Sequence, residues 1–406
     1  MDRTVYIPNI SDHSHGVAAA MRAYGIPAEV LPPPDAETLA IGLDLCRGRE
    51  CLPCFLCTGD IIRRSRRPGF DPARAVYFMP TGPGPCRFGQ YRVLEREILD
   101  RMGLEAVEVT SPSTDTSYAL FAENVTAVRK LAWQGLVAVD LLQKARHELR
   151  PYELERGLTD EAYALALAGL AAGIEARRDA GALAAMEAAA RLFEAVPVDR
   201  FVRRPIIAVL GELFVLLNTY SNSALVRDVE AAGGEVLQGT FSDWLYYVDT
   251  NRAYWDRRQG LWGDFVKAAL SDRYQRAQEA RLRRPLARIL THPPEATPRE
   301  AMKLLAPHYD PKLGTEAVLT MSRALDVARH GIGGILNILP FSCMPGTVVS
   351  GMAPKLREAM GGVPWLDLSY DGQETTNIRT RLEAFMHQVF QFERRRAPID
   401  HQRAGV

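Results

Sequence analysis

The sequence predicts an α/β protein of two domains, each built on a parallel β-sheet with helical insertions. Short apolar strands alternate with helical stretches along most of the chain, and this pattern is typical of parallel sheets covered by helices on both faces. The 406 residues exceed the size of one ordinary hydrophobic core. An apolar content of 47% is sufficient to fill two cores.

The N-terminal domain is predicted over residues 1–150. Its elements are strands at 5–8, 28–31 and 75–80 and helices at 14–24 and 91–102. Gly25 ends the first helix, and the third strand runs into a loop rich in glycine and proline around Cys86. Because the loops after the carboxyl ends of parallel strands carry function in such folds, Cys86 is expected at a functional edge of the sheet.

Two long helical stretches follow, at residues 118–150 and 160–195. The second is so rich in alanine and charged residues that we expect it to pack as a helical hairpin between the domains. Residues 151–200 are therefore predicted to form a helical connector.

The C-terminal domain, residues 201–406, repeats the alternation. Its predicted elements are strands at 206–210, 235–237, 334–339 and 365–368 and helices at 221–232, 254–284, 297–305, 348–360 and 376–392. Thr297-Pro-Arg-Glu is a capping-box sequence with proline at the first helical position. Cys343 falls in the loop after a strand, as Cys86 does, and the two halves are predicted to be distant structural duplicates.

Charge and hydropathy exclude several classes of protein. The 49 basic and 49 acidic residues cancel, so we expect no nucleic-acid partner. The longest apolar run, 206–217, contains Glu212 and is shorter than a membrane span, so no membrane association is expected. The first residues lack the apolar core of a secretory signal, which favours a cytoplasmic protein.

The six cysteines narrow the chemistry most. Four of them, Cys46, Cys51, Cys54 and Cys57, lie within a dozen residues, and Cys86 and Cys343 stand alone. A reducing compartment disfavours structural disulfides, which leaves metal binding, redox catalysis or plain burial. Thiolates from distant segments are typical ligands of an iron–sulfur cluster.

Two other chemistries are open to these thiols. Cys51-Leu-Pro-Cys54 alone also suits a zinc site or a thiol redox motif. No histidine lies between His15 and His147 to complete a zinc site, and a redox motif would leave Cys86 and Cys343 unexplained. Buried free cysteines in ordinary loops are the alternative that needs no ligand.

Proline and glycine accompany the isolated cysteines. Gly84 lies close to Cys86 and Gly346 close to Cys343, and glycine allows the backbone to turn tightly and approach a cluster. Backbone N–H groups in these loops can then point at sulfur and stabilise its negative charge.

Several motifs resemble the 2-hydroxyacyl-CoA dehydratase and CoA-activase-related superfamily, above all the cysteine-bearing portion of the large activase-related proteins and, more distantly, the double-cubane cluster reductases. They span nearly the whole chain: Glu50-Cys-Leu-Pro-Cys, Gly84-Pro-Cys-Arg-Phe-Gly-Gln-Tyr, Trp133-Gln-Gly-Leu, Arg150-Pro-Tyr-Glu, Leu339-Pro-Phe-Ser-Cys-Met-Pro and Tyr370-Asp-Gly-Gln-Glu.

The resemblance implies two flavodoxin-like or Rossmann-like domains with a [4Fe–4S] cluster between them, or a double-cubane cluster. It implies Cys51, Cys86 and Cys343 as ligands, with Cys54 as a fourth ligand or part of a second subcluster. It also implies an ATP-dependent activator ATPase with its own cluster as electron donor, a homodimer or pseudo-dimer, and a small-molecule substrate such as an acyl-CoA. A non-catalytic scaffold or regulatory subunit, binding zinc or no metal on the same fold, is the alternative.

Other polar residues follow predicted strands. Glu212 and Asp371, with Gln373 and Glu374, are predicted to relay protons to substrate or to hydrogen-bond the cysteine loops. Arg87 is predicted to offset the negative charge of the cluster. For His13 and His15 we favour a helix start, with Asp12 or Ser14 as its cap, over a place in the cleft.

Overall fold

The computed structural model describes residues 3–82, 84, 86–111, 124–199, 201–373 and 377–403. It confirms the predicted fold class, because the chain is mixed α/β with two four-stranded, all-parallel sheets. Its contacts group into two compact units of three segments each. The first unit comprises Met1–Gln143, Asp160–Ala195 and Tyr274–Arg288; the second comprises Lys144–Thr159, Val196–Arg273 and Ile289–Val406.

The first unit contains the sheet β2-β1-β3-β4. Its strands are β1 (Thr4–Ile7), β2 (Ala28–Val30), β3 (Ala75–Phe78) and β4 (Glu108–Thr110). Apolar side chains of β1 and β3 pack against α1 around Met21, which is fully buried. Both central strands are thus buried, as parallel strands covered by helices require.

Six helices belong mainly to the first unit. They are α1 (His13–Arg22), α2 (Ala36–Leu45), α3 (Leu52–Ser65), α4 (Tyr91–Arg101), α5 (Val125–Leu149) and α6 (Leu158–Glu194). Helix α6 breaks at Arg178, where φ is 51° and ψ is −126°. A Cβ on Gly173 would stand 2.8 Å from the carbonyl oxygen of Gly181, so the two halves fold back on each other as a hairpin.

The second unit contains the sheet β6-β5-β7-β8. Its strands are β5 (Ile206–Gly211), β6 (Glu235–Gln238), β7 (Gly334–Pro340) and β8 (Trp365–Tyr370). In both units the first strand pairs with the second on one side and the third on the other, and the fourth lies at the edge. This common order agrees with the predicted duplication.

Eight further helices are found in the described part of the chain. They are α7 (Leu213–Leu217), α8 (Leu225–Ala231), α9 (Phe241–Arg258), α10 (Trp262–Arg283), α11 (Pro298–Leu305), α12 (Glu316–Ala328), α13 (Met344–Ala359) and α14 (Ile378–Arg403). The capping box of Thr297 and Glu300 is present as predicted. Among the described helices, none combines the length and apolar character needed to cross a lipid bilayer.

Two predicted helices have other boundaries in the structure. The helix predicted over 254–284 is interrupted near Gly260, whose φ of 75° is left-handed. Helix α13 begins at Met344 rather than at 348, because Pro345 suits the first turn of a helix. Helices α2, α3, α7 and α12 and most of α9 were not predicted from the sequence.

Candidate functional site

The six cysteines fall into two groups by exposure. Cys51, Cys86 and Cys343 are half-buried, so part of each side chain reaches solvent. Cys46, Cys54 and Cys57 are buried, with 7%, 1% and 1% of their surface exposed. The cysteines predicted as the main ligands are therefore also the accessible ones.

Each accessible cysteine directly precedes a helix. Cys51 precedes α3, Cys343 precedes α13, and Cys86 precedes a one-turn 3₁₀ helix, Arg87–Gln90, that leads into α4. None of the three side chains caps its helix by a hydrogen bond. The three cysteines therefore share one local setting, the residue just before a helical turn.

Two hydrogen bonds connect the Cys51 and Cys86 loops in the first unit. The Sγ of Cys51 lies 2.6 Å from the hydroxyl oxygen of Tyr91, at the start of α4. The Arg87 guanidinium donates to the carbonyl oxygen of Arg49 at 2.8 Å. Arg87, predicted to offset cluster charge, therefore joins the two loops. Tyr91 was not singled out from sequence, although its place five residues after Cys86 was a usable signal.

Gly84, four residues after the predicted strand end at 80, has a φ of 109°. Side chains are strained at such an angle, so the loop before Cys86 requires glycine there. Gly346 has a different role, because a Cβ would come within 2.6 Å of the Leu339 side chain. It allows the first turn of α13 to approach β7.

Glu212, Cys343 and Asp371 follow three adjacent strands of the second unit, β5, β7 and β8. The backbone N–H of Glu212 donates to the carbonyl oxygen of Ile338, and that of Phe341 donates to Tyr370, at 2.9 and 2.7 Å. Because the strands are parallel, the three residues share the carboxyl edge of one sheet.

Glu212 is the ionisable group of this edge with the most altered acidity. Its carboxylate caps α7 and accepts the N–H groups of Phe214 and Val215 at 3.1 and 3.0 Å. Burial raises the pKa of Glu212 to about 7, although these two hydrogen bonds oppose the rise. A carboxyl that titrates near neutrality can hold or release a proton at this edge.

Asp371 and its neighbours differ from Glu212. The Asp371 side chain is exposed and accepts the N–H of Gln373 at 2.9 Å, which closes a local turn. Glu374, predicted alongside it, lies outside the described residues.

Cys54 lies within the core of the first unit, on the first turn of α3. Interaction with the Cys46 thiol and burial raise the pKa of the Cys54 thiol. Interaction with the Cys54 thiol lowers the pKa of Cys46. The role of Cys54 as a fourth ligand stays a prediction.

Glu95 on α4 is a buried acid beside these thiols. Burial, and then the neighbouring Cys46 and Asp60, raise the pKa of Glu95 well above its usual range. Neither of its oxygens has a hydrogen-bond partner among the described residues. Sequence spacing could have found it, because Tyr91, Glu95, Ile98 and Leu99 form one buried helical face.

The histidines begin α1, as favoured from sequence, but the capping differs. The Asp12 side chain does not cap the helix and instead accepts the Tyr163 hydroxyl at 2.5 Å. Buried His13 lies 2.9 Å from the Ser11 hydroxyl and 2.8 Å from Asp140. Asp140 is 127 residues away in sequence, so this contact could not be predicted from the sequence.

Comparisons with known proteins identify no family, so the class of protein is described by its fold and candidate site. The chain matches no model of a known protein family, and no curated protein matches it. Across the described part of the chain, no three His, Cys, Asp or Glu side chains are already arranged to hold a metal ion. The structure thus defines a two-unit, parallel-sheet α/β protein with accessible cysteines at helix N-termini.

Proposed function

We propose that Cys51, Cys86 and Cys343 bind a [4Fe–4S] cluster in a reductase or 2-hydroxyacyl-CoA dehydratase-like component. The protein receives low-potential electrons from an ATP-dependent activator and passes them to a small-molecule substrate, of which an acyl-CoA is the class implied by the motifs. The observation that carries the proposal is the exposure of these three thiols while the other three are buried. A cluster ligand must be accessible to iron and sulfide, and a helix N-terminus stabilises its thiolate.

The donor set fits the cluster in type and number. Thiolates are the usual protein ligands of iron–sulfur clusters, and three of them leave one iron of a four-iron cluster without a protein ligand. When bound, such a cluster supplies one-electron transfer and an iron site open to a small molecule. That the three thiols bind one and the same cluster is part of this proposal.

Residues other than the three cysteines have separate roles in the proposed function. Tyr91 and Arg87 hold the Cys51 and Cys86 loops together through the hydrogen bonds at Cys51 and Arg49. Glu212, with a pKa of about 7, holds a proton at the carboxyl edge of the second sheet and can donate it to a reduced substrate. Asp371 shapes the loop after β8.

Anaerobic reconstitution with iron and sulfide tests the cluster. We expect about four iron and four sulfide per chain and a broad visible absorption. Cys51→Ala, Cys86→Ala and Cys343→Ala should each lose most of the bound iron, and buried Cys57→Ala is the matched control. Unchanged iron in all three variants would overturn the assignment. Zinc without visible absorption would favour the scaffold alternative.

Electron acceptance is tested separately on the reconstituted protein. A low-potential reductant such as titanium(III) citrate should bleach the visible absorption reversibly under argon. Oxidation with a mild acceptor should restore it. A cluster that binds but cannot be reduced would make the protein a structural iron–sulfur protein rather than an electron acceptor.

A further inference from the structure

Large apolar side chains are exposed at the end of α9 and along the first half of α10, on either side of the turn at Gly260. Five of them lie between residues 255 and 270 and are 44% to 64% exposed: Trp255, Leu261, Trp262, Val266 and Leu270. Single exposed apolar residues are common in proteins, but a group of this size is typical of a binding surface.

Helix α10 has little cover from its own chain. Of its described residues, which run from Trp262 to Arg283, Leu282 is the one that is fully buried. Helices in proteins gain most of their stability from packing of an apolar face rather than from intrinsic propensity. The exposed apolar face of α10 therefore lacks a packing neighbour within the described part of the chain.

The exposed residues of α10 have a spacing that is symmetric about Val266. Trp262 precedes Val266 by four residues and Leu270 follows it by four, so each lies about 6 Å from it along the helix axis and on nearly the same face. A second copy of α10 placed antiparallel would bring Val266 against Val266. Trp262 of each copy would then meet Leu270 of the other. An isologous interface requires this reciprocity.

From this symmetry we propose that α10 forms the interface of a homodimer, in which two copies of the helix pack antiparallel about Val266. The dimer goes beyond the proposed function and does not depend on the cluster. The five exposed side chains offer on the order of 500 Å² of apolar surface. This area matches the apolar share of a standard interface, which buries about 800 Å² on each partner and is somewhat more than half apolar.

The charges beside these residues favour a second copy over a charged partner. Two acid–base pairs flank the apolar side chains: Asp264–Lys267 at 3.1 Å and Arg252–Asp256 at 3.8 Å. Two guanidinium groups lie over aromatic rings: Arg257 over Phe265 at 6.0 Å and Arg258 over Trp255 at 5.9 Å from the ring centre. Each of these charged groups has a partner within the chain, which favours an apolar contact over recognition of a charged macromolecule or lipid surface.

Sedimentation equilibrium of the full-length, metal-free protein tests the dimer. We expect twice the chain mass at about 50 µM, with a dissociation constant on the order of 1 µM. Val266→Glu and Leu270→Glu should each raise that constant at least about 100-fold, because they place carboxylates in the apolar contact. Leu165→Glu on α6 is the matched control, since Leu165 is 61% exposed and lies outside the proposed interface. It should leave the dimer intact.

A paired change tests the antiparallel arrangement. Trp262→Lys alone should weaken the dimer as Leu270→Glu does, because each variant places a charge in the contact without a partner. The double variant should dimerise at least about 10-fold more tightly than either single variant, because each lysine then meets a glutamate of the other copy. Both positions are exposed in the single chain, so the circular dichroism spectra of these variants should match that of the wild type.

Several outcomes would overturn the proposal. A wild-type protein that is monomeric at about 50 µM would exclude the dimer. Glutamate variants that dimerise as tightly as the wild type would place the interface elsewhere, and a double variant weaker than both single variants would contradict the antiparallel arrangement. A monomer that sediments with vesicles of phosphatidylcholine and phosphatidylserine would identify a lipid surface as the occupant instead.

The dimer and the cluster are tested on different samples. Iron uptake is measured after reconstitution, whereas the chain mass is measured on metal-free protein. A monomer that still binds iron would leave the cluster proposal standing, and a dimer that binds no iron would leave this one standing.

Discussion

The Glu212 carboxylate caps helix α7 and is also buried. Its carboxylate accepts two backbone N–H groups of α7 and yet has a pKa of about 7, because burial penalises the anion more than the hydrogen bonds stabilise it. Unfolding returns the Glu212 carboxyl to its ordinary pKa of 4.5. The folded state therefore holds the Glu212 proton more tightly than the unfolded state does.

This difference predicts a pH dependence of stability. The free energy of unfolding should fall as pH rises from about 4.5 to about 7 and should then level off, with a loss of about 2 kcal/mol from this group between pH 5 and 8. Glu212→Gln should remove that part of the loss, which urea unfolding at both pH values would measure. Exposed Glu383→Gln is the control. Parallel pH profiles for wild type and Glu212→Gln would contradict the prediction.

The buried ion pair of Arg150 and Glu230 predicts a large effect on stability. Its two hydrogen bonds of 2.7 and 2.8 Å join side chains that are 3% and 8% exposed. Arg150→Met leaves the Glu230 charge buried without this partner, so we expect a loss of about 3 kcal/mol in urea unfolding. Arg379→Met breaks a pair that is 90% and 64% exposed and should cost less than about 0.5 kcal/mol. Equal losses would show that burial does not set the strength of these pairs.

At the scale of elements, the α2–α3 pair depends on glycine. Gly42 lets the two helices approach until only a hydrogen fits between them, since a Cβ would stand 2.0 Å from the Phe55 carbonyl oxygen. The same pair positions Cys46, Cys51 and Cys54. Helix packing here therefore determines the geometry of the cysteines.

Gly42→Ala should destabilise the protein by about 3 kcal/mol, because a backbone atom cannot move aside as a flexible side chain does. The matched control is Gly169→Ala in α6, where a Cβ meets nothing within 4 Å. That change should stabilise the protein by about 0.5 kcal/mol or more, as alanine favours a helix over glycine. Thermal or urea unfolding measures both, and a neutral Gly42→Ala would refute the close contact.

At the scale of the whole molecule, two units of common strand order each provide cysteines before helices. Cys51 and Cys86 belong to the first unit and Cys343 to the second. For the whole molecule, the proposed cluster predicts a gain in stability, because a ligand that binds only the folded state favours folding.

Removing the metal tests this effect on the stability of the whole molecule. A ligand that binds only the folded state raises its stability, so the reconstituted wild-type protein should unfold at least about 3 °C above the chelator-treated protein. Cys343→Ala should lose most of this gain, since it removes one of the three proposed ligands. An equal gain in Cys343→Ala would show that Cys343 does not hold the metal. Calorimetry under argon measures the difference.

The α/β class, seven of the eight described strands (all but β4) and the cysteine loops after β3 and β7 could be predicted from the sequence. These features depend on local patterns: apolar runs, turn residues and the proline that begins a helix. Helices α2, α3 and α12 were not predicted. Their N-termini lack the capping-box sequence that marks the start of α11, and their buried faces are determined by the elements that pack on them.

Which cysteines are accessible depends on the tertiary structure. Cys51, Cys54 and Cys57 share one short segment, and their burial differs because Cys54 and Cys57 lie on α3, which packs closely against α2, whereas Cys51 precedes that helix. The raised pKa values of Glu95 and Glu212 arise in the same way, from burial by residues distant in sequence. Burial and distance are properties of residues remote in sequence, so local patterns cannot contain them.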